Sequence, residues 1–400
     1  MRVLHVIPSV SPRRGGPSVA VVQMVKTLAS RGVNVEIATT NDHGNDTLDV
    51  PLNEQVEFQG ATVRFFQRFS PPVNPVREFA WSSPFRRWIT SNISRYTIVH
   101  AHAIFSFVPT FTMLSARRQS VPYIVRPLGQ LDEWSLTQAK HKKALYMSLL
   151  ERKNINGAAR IHCTSKNESE TISRLGLIPK REIIPHGILQ TQPPPEAASK
   201  LREKYSLPKN QPILLFLSRL HPKKGFDILI PALSKYSEHP FSLIIAGQGT
   251  SDYESNLRHE IEKNGLARNT IFAGFVEGEN KSLLLAGADL FVLPSYDENF
   301  GIAALEALAH GLPVLLTNTV DLADFVQKEH AGFVCGASSD GIVSGLDQAF
   351  SSFDTIRDPA FRNGIKEKTE RQFDWQVVAS RLESVYQNIT SAPPFSNRNC

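Results

Sequence analysis

The sequence predicts an α/β protein with two domains, each built around a parallel β-sheet. Two stretches carry the prediction, because each reads in turn as strand, loop, helix and strand. One begins with the apolar run Val3–Ile7, and the other extends from Leu290 to Thr317. The chain of 400 residues is also long enough to bury two separate cores. We therefore predict a first domain at residues 1–190 and a second at residues 200–372.

The first domain opens with a glycine-containing loop between a strand and a helix. Gly15 and Gly16 follow Val3–Ile7, and Ser18 is predicted to cap a helix over Val19–Ser30. Apolar runs and helical periodicity predict the remaining elements, which are strands at Val33–Ala38, Thr62–Gln67, Thr97–Ala101, Pro122–Arg126 and Arg160–Thr164 and helices at Gln138–Asn156 and Glu168–Leu175.

The second domain repeats the alternation of strands and helices. Its predicted strands are Ile213–Leu217, Phe241–Gly247, Thr270–Ala273, Leu290–Leu293, Val314–Leu316 and Gly332–Cys335. The last predicted helix is Trp375–Asn388, where apolar residues recur at helical spacing. Asn41–Gly60 and Ser70–Pro75 are predicted to be irregular, and the proline-rich Thr191–Ser199 to be the linker between the domains. Ser391–Cys400 is predicted to be a frayed tail.

Charged residues follow two strands of the second domain and indicate an anion site. Arg219 and Lys224 lie in the loop after Ile213–Leu217, and two cations there can hold a diphosphate. Glu298 lies in the loop after Leu290–Leu293, and Glu306 lies about two turns inside the next helix. Such folds bind ligands at the carboxyl ends of parallel strands, and a helix N-terminus favours phosphate. A solvated turn and a favourable contact of Glu298 with the helix dipole are the alternative explanations.

Together these segments resemble the large retaining glycosyltransferase family 4. From Pro294 the chain carries the family's PS-x-x-E-x-F-G lead-in, its E-x7-E signature and its E-A-x-x-x-G-x-P-V tail. Ser218–Gly225 is similar to the family's G-R-x-x-x-x-K-G segment. The resemblance implies a GT-B fold, in which two Rossmann-like domains face each other across a cleft. It also implies that a C-terminal helix, here residues 375–390, crosses back to the first domain.

The resemblance assigns roles to residues of the donor site. Glu298 would meet the donor sugar and Glu306 the nucleotide ribose, while Arg219 and Lys224 would stabilise the leaving diphosphate. Arg219, Lys224 and Glu298 are the predicted catalytic residues. Backbone contacts to the donor are assigned to Asn299, Phe300, Gly301 and Ile302, and the diphosphate is expected near Gly15 and Gly16. The two cations replace the divalent metal of other glycosyltransferases, so neither a metal nor another cofactor is expected.

The first domain is expected to bind the acceptor. His102 ends the pair His100-x-His102, and family members often carry a similar pair on the acceptor side. A satisfied structural histidine is the alternative, and two histidines without a third ligand do not predict a metal site. Arg126 is a candidate to hold an acceptor phosphate or carboxylate, or to form a local ion pair. Leu128 stands where many members carry histidine, so no catalytic histidine is assigned.

The positive charge is concentrated in the first domain. Through Gln190 there are 24 Lys and Arg against 13 Asp and Glu, whereas the remainder has 20 against 25. Aromatic residues lie between the basic ones, and this combination suits an anionic lipid or an acidic glycan. We predict that five residues face an anionic membrane, namely Arg86, Arg87, Lys140, Lys142 and Lys143. A solvated basic face over an ordinary aromatic core explains the same pattern.

The resulting prediction is a metal-independent, retaining hexosyltransferase. It would move a sugar from a nucleotide-sugar donor to a glycan or lipid-linked acceptor in polysaccharide or glycolipid synthesis. The N-terminus enters a strand directly and no apolar run could span a bilayer, which predicts a cytoplasmic protein, peripheral on the inner face of the membrane if it binds lipid. The alternatives are a nucleotide-sugar epimerase or another enzyme of this fold, and a non-enzymatic basic protein that binds membrane or nucleic acid. No nucleic-acid partner is expected, and the sequence leaves donor sugar, base, acceptor and oligomeric state open.

Overall fold

The computed structural model describes residues 1–190, 192–236 and 240–391. It divides into two compact units, which we call the first unit and the second unit. The first contains Met1–Gly187 and the C-terminal segment from Trp375, and the second contains Ile188–Asp374. Thr191 of the predicted linker and residues 392–400 of the predicted tail lie outside the described residues.

The first unit is built on an eight-stranded sheet. Its strands are parallel except for one antiparallel pair, β5 with β6, and their order is β10-β9-β8-β7-β1-β2-β6-β5. Two short strands, β3 and β4, form a separate antiparallel pair. The bounds are β1 (Arg2–Val6), β2 (Asn34–Thr40), β3 (Asp42–His43), β4 (Asp46–Thr47), β5 (Gln55–Phe58), β6 (Ala61–Phe66), β7 (Ile98–His102), β8 (Tyr123–Arg126), β9 (Arg160–Cys163) and β10 (Arg181–Ile183).

Helices connect these strands and cover the sheet. They are α1 (Gly16–Ser30), α2 (Asn74–Glu78), α3 (Ser83–Asn92), α4 (Phe107–Arg118), α5 (Glu133–Thr137), α6 (Lys140–Tyr146), α7 (Arg152–Asn156) and α8 (Lys166–Arg174). A π-helical turn, Met147–Glu151, joins α6 to α7, so this segment is one nearly continuous helix. Successive strand residues point to opposite faces, and each face buries its own apolar cluster, one containing Leu4 and Val99 and the other Val3 and Ile98.

The second unit has a six-stranded, entirely parallel sheet in the order β13-β12-β11-β14-β15-β16. Its strands are β11 (Ile213–Leu217), β12 (Ser242–Ala246), β13 (Thr270–Gly274), β14 (Leu290–Leu293), β15 (Val314–Thr317) and β16 (Gly332–Cys335). Its helices are α9 (Ala197–Lys204), α10 (Phe226–Ser234), α11 (Ser251–Lys263), α12 (Gly278–Gly287), α13 (Ile302–Ala309), α14 (Ala323–Glu329), α15 (Ser339–Ser351), α16 (Phe353–Arg357) and α17 (Pro359–Phe373). The central strands are buried along their whole length, as expected for a sheet covered on both faces.

The last helix, α18 (Trp375–Thr390), packs on the first unit. Its apolar residues Val378 and Leu382 join the cluster that contains Val3, and Glu383 accepts a 2.5 Å hydrogen bond from Arg31 Nε. A Cβ at Gly187 would lie 2.3 Å from the Trp375 ring, so only glycine allows this contact. None of the helices in the described part of the chain is long and apolar enough to cross a bilayer.

The predicted fold class, α/β with two Rossmann-like parallel sheets, is confirmed, but several local predictions are wrong. Ser18 does not cap α1, which begins at Gly16 after Gly15. The segment predicted to be irregular from Asn41 contains β3, β4 and β5. The edge strand β5 alternates exposed and half-buried residues, so its polar composition conceals it. Helix α9 begins inside the predicted linker because its apolar side is buried.

Candidate active site

The sheet of the second unit has a topological switch point at β11. From this strand the chain runs outward to β12 and β13, and then returns to β14 on the other side. Ligands of open parallel sheets bind at such a point, beyond the carboxyl ends of the strands. The loops that follow β11 and β14 flank it, and these loops carry Arg219, Lys224 and Glu298.

Backbone contacts hold the two loops together. Gly225 has a φ of +74°, and a Cβ there would lie 2.0 Å from the carbonyl oxygen of Pro294. The amide of Tyr296 donates a 2.9 Å hydrogen bond to the carbonyl of Lys223. Glycine is therefore required at position 225 both by its left-handed conformation and by the close approach of the β14 loop.

This approach brings Lys224 to Glu298. The Lys224 ammonium contacts the Glu298 carboxylate, and Lys224 is buried whereas Glu298 is half-buried. The neighbouring Lys223 pairs with a different carboxylate, Asp297, at 2.8 Å. Glu298 is also fixed by its backbone, because its amide donates to Thr319 at 3.3 Å and its carbonyl accepts from Asp321 at 3.2 Å.

Arg219 lies in the same loop as Lys224 but is exposed. Within the described ranges it forms no ion pair with a carboxylate. The loop is electropositive, since the pKa of His221 is lowered by partial burial and by the charges of Arg219 and Lys224. The loop therefore presents a guanidinium that pairs with no carboxylate of the described chain, beside a lysine that is held in place.

Helix α13 starts directly after this site. Gly301, with a φ of +85°, precedes its first residue Ile302, and the amides of the first helical turn lack intrahelical partners. Phe300 is buried, while Asn299 is half-buried. Glu306 lies further along the helix, is half-buried, and accepts a 2.6 Å contact from the Lys281 ammonium. Lys281 on α12 is thus the ion-pair partner of Glu306, and the sequence analysis did not identify it.

The first unit has the equivalent switch point at β1, which lies between β7 and β2. The loop after β1 ends at Gly15, whose φ of +91° and ψ of −167° favour glycine, and α1 begins at Gly16. Arg14 in this loop pairs with Asp42 at 2.6 Å and with Glu78 at 2.7 Å. Gly15 thus precedes a long helix at the carboxyl edge of the sheet, and Gly16 is the first residue of that helix.

His102 and Arg126 end the neighbouring strands β7 and β8 and are register partners. Both are fully buried, so their side chains lie on one face of the sheet within the protein. No carboxylate among the described residues lies within 4.0 Å of the Arg126 guanidinium, so the alternative of a local ion pair is not found. Leu128 follows in the left-handed region with a φ of +59°, which is unusual for a residue with a side chain.

Sequence reasoning missed most of the polar groups around these two residues. The rings of His5, His100 and His162 are buried on the same face, together with the hydroxyl of Tyr386 from α18. The ligand atoms of His5, His100 and His102 lie within 4.8 Å of one another, close enough to share a metal ion. Hydrogen bonds already use both nitrogens of His5 and His100, and the nearby Arg126 charge disfavours a cation.

Two family models match this chain. Residues 15–187 match the glycosyl transferase 4-like domain, and residues 198–362 match glycosyl transferases group 1. The fold and these matches define a glycosyltransferase of the GT-B type. The chain belongs to the GT4-like glycosyltransferases.

Individual relatives agree with this assignment. D-inositol 3-phosphate glycosyltransferase 2 of Catenulispora acidiphila is 25% identical over 391 residues, which cover 93% of this chain and 90% of that protein. The uncharacterized glycosyltransferase MJ1607 of Methanocaldococcus jannaschii is 32% identical over 195 residues, and the match spans 48% of this chain and 49% of that relative, about half its length. Anabaena HepE, solved in complex with UDP and glucose, has the same fold, with a TM-score of 0.73 and 18% identity over 97% of this chain and 100% of that one.

Proposed function

We propose that this enzyme transfers a hexosyl group from a nucleoside-diphosphate sugar to a hydroxyl acceptor, with retention of the anomeric configuration. The observation that carries the proposal is the position of Arg219, Lys224 and Glu298 on the two loops that flank the switch point of the second unit. Cations and a carboxylate placed there suit a donor with a diphosphate at one end and sugar hydroxyls at the other.

Charge develops on the diphosphate oxygens as the bond to the anomeric carbon breaks. Arg219 and Lys224 would stabilise that charge, and the first-turn amides of α13 would add to it. Such positively charged groups can take the place of a divalent metal, so we propose a metal-independent transfer. The E-x7-E pair would bind the rest of the donor, Glu298 at the sugar and Glu306 at the ribose, with Asn299, Phe300, Gly301 and Ile302 supplying backbone contacts.

Retention is proposed to occur by attack from the face that carries the leaving group. Direct attack by Glu298 is disfavoured, because its contact with Lys224 lowers its nucleophilicity. That contact suits a carboxylate that orients sugar hydroxyls rather than one that attacks carbon.

A nucleotide-sugar screen tests this proposal. UDP-glucose is the first probe, because HepE was solved with UDP and glucose. We expect slow release of nucleoside diphosphate from one donor without acceptor, and a rise in thermal stability with that donor only, since a ligand that binds the folded state stabilises it. An epimerase would interconvert the sugars without releasing nucleotide. A non-enzymatic binding protein would give neither signal, and either result would reject the proposal.

A second proposal is that the first unit rests on an anionic membrane, where a lipid-linked acceptor would be found. Leu145 and Leu149, on the helix from α6 to α7, are 61% and 62% exposed, and Lys140 and Lys142 beside them are exposed as well. Exposed leucine among lysines is the pattern of a helix that lies in a membrane interface. The aromatic residues of this region do not contribute, because Phe85 and Phe107 are buried in the core and their aromatic neighbours pack against it.

A further inference from the structure

A continuous chain of hydrogen bonds runs through the buried face of the first sheet. His162 Nε2 lies 2.8 Å from the carbonyl oxygen of Ile184, and His162 Nδ1 lies 3.2 Å from His100 Nε2. The Tyr386 hydroxyl lies 2.7 Å from His100 Nδ1 and 3.2 Å from His5 Nε2. His5 Nδ1 then lies 3.0 Å from His102 Nε2.

The carbonyl of Ile184 fixes the direction of every bond in this chain. A carbonyl can only accept, so His162 carries its proton on Nε2 and leaves Nδ1 as an acceptor. The rings are neutral, since burial lowers the pKa of each. His100 must then donate from Nε2 and accept at Nδ1 from the hydroxyl of Tyr386.

The same logic continues on the other side of the tyrosine. The single hydroxyl proton of Tyr386 is donated to His100, so the Tyr386 oxygen accepts a hydrogen bond from His5 Nε2. His5 Nδ1 therefore accepts from His102 Nε2. This series of hydrogen bonds ends at His102 Nδ1, which must therefore be unprotonated and able to accept a hydrogen bond. That atom is buried and has no hydrogen-bond partner among the described residues.

Unpaired donors occur on the strand next to this unpaired acceptor. Arg126 Nε and Nη1 are buried and also lack partners in the described part of the chain, while Nη2 lies 3.1 Å from His186 Nδ1. Burial lowers the pKa of Arg126 to about 10, so the side chain remains cationic near neutrality. Glu168 contributes an attractive charge, but its oxygens accept hydrogen bonds from Gly129 and Thr164.

A buried cation without a paired anion is costly, and so is a buried acceptor without a donor. The register of β7 and β8 places the unpaired acceptor of His102 and the unpaired donors of Arg126 on one face of the sheet, at its carboxyl edge. The loops that follow these two strands include Ala103, Phe105 and Leu128, all in the left-handed region, where strain is often retained for function. A single ligand group with both a hydroxyl and a negative charge would satisfy all three unpaired atoms.

We propose that His102 and Arg126 recognise the acceptor through a hydroxyl group adjacent to a phosphate or carboxylate. The hydroxyl would donate to His102 Nδ1, and the anion would accept from Nε and Nη1 of Arg126. The assignment of this ligand as an acceptor rests on the proposed glycosyl transfer, whereas its chemistry rests on the first unit alone. Tyr386 and His5 are positioning residues, because they act by fixing the tautomer of His102.

The binding test uses three matched compounds without a nucleotide, namely methyl glucoside, glucose 6-phosphate and glucuronate, titrated into the full chain by calorimetry. We expect one or both anionic compounds to bind about tenfold to a hundredfold more tightly than the neutral one, as a charge-assisted hydrogen bond predicts. The phosphate and carboxylate arms identify which anion is preferred. Arg126→Gln should abolish the preference, and His102→Gln should weaken binding of all three.

Equal affinity for the neutral and anionic compounds, or no binding of either anion at millimolar concentration, would overturn the proposal and leave ordered water as the partner of these atoms. Neither result would bear on donor turnover, which is measured with nucleotide sugars, so the two failures are distinguishable.

A second readout is independent of the ligand chosen. Nitrogen-15 shifts should show His5, His100, His102 and His162 all protonated on Nε2, and one ring protonated on Nδ1 would refute the proton directions. Tyr386→Phe should give mixed tautomers at His5 and His102.

Discussion

The two units balance the charges of their candidate site residues in opposite ways. In the second unit Lys224 contacts Glu298 and Lys281 contacts Glu306, and these side chains retain some solvent contact. In the first unit Arg126 is fully buried, no carboxylate within the described ranges pairs with it, and the histidines around it are neutral. The comparison teaches that the second unit can hold its site in water without a ligand, whereas the first holds groups that only a ligand or bound water would satisfy.

The largest expected effect is that of acid, which should destabilise the first unit more than the second. Burial lowers the pKa of His5 to about 3, and that of His100, His102, His162 and His186 well below 6.5. These rings bind protons below pH 6.5 only when unfolded, so the free energy of unfolding must fall as pH drops from 6.5 toward 3. Each ring contributes up to about 1.4 kcal/mol per pH unit.

Hydrogen exchange at about pH 7.5 and about pH 5.5 measures this difference. Strands β1, β7 and β8 should lose protection in acid, while β11 and β14 serve as the internal control. In the second unit the pKa of His310 and His221 is lowered too, but both retain solvent contact. Burial raises the pKa of Glu151, which opposes the trend, but it is one group against five. Equal loss of protection in both units would contradict the burial of five neutral rings.

The next largest effect is expected when the buried cation of the second unit, Lys224, is removed. Lys224→Ala should lower kcat by about 10²–10³, the usual effect of losing a group that stabilises developing charge. Lys223→Ala is the matched control, because its partner is Asp297 rather than Glu298, and it should change kcat much less. Steady-state kinetics of both variants, with denaturation curves, would distinguish catalysis from stability.

The same assay tests the absence of a metal requirement. Wild-type activity should persist in excess EDTA, because the proposed charge stabilisation comes from Arg219 and Lys224. Loss of activity in EDTA that manganese restores would reject the metal-independent mechanism.

Glu306→Ala should have a smaller effect, confined to donor binding. If the carboxylate accepts ribose hydroxyls, its loss should weaken binding by about 1–3 kcal/mol. Glu260→Ala on α11 is an exposed control and should leave the affinity unchanged. Calorimetry with the donor found in the screen makes the measurement, and unaltered affinity in Glu306→Ala would remove this residue from the site.

The smallest effects per residue are expected at the membrane surface of the first unit. Each basic residue near anionic lipid contributes about 1 kcal/mol, and salt should weaken the binding. Lys140→Gln and Lys142→Gln should reduce sedimentation with anionic vesicles, and Leu145→Gln with Leu149→Gln should reduce it further. Ile178→Gln is the control, since Ile178 is 79% exposed in the same unit but outside this helix. Equal, salt-independent binding to neutral and anionic vesicles would contradict the proposal.

Sequence reasoning reached further in the second unit than in the first. Strands β11, β14 and β16 have the predicted bounds. For β11 and β14 the reason is that a strand buried on both faces is a continuous apolar run, whereas three of the four residues of the edge strand β16 are half-buried. The residues proposed for the donor site are also close in sequence to those strands. The buried histidine chain could not be predicted in this way. It depends on the register that pairs His5 with His100 and on Tyr386, which is 286 residues from His100 in sequence.

The return of α18 to the first unit has a consequence for synthesis on the ribosome. The sheet of the first unit is complete once Gly187 has been made, but Tyr386 is made about 200 residues later, which takes about 10–40 s at ordinary elongation rates. Until then the buried histidines lack the hydroxyl that links them, and their apolar neighbours lack the helix that covers them. The first unit should therefore remain incompletely folded while the second is translated. In the nascent chain, the first unit is the part that would most need protection by a chaperone.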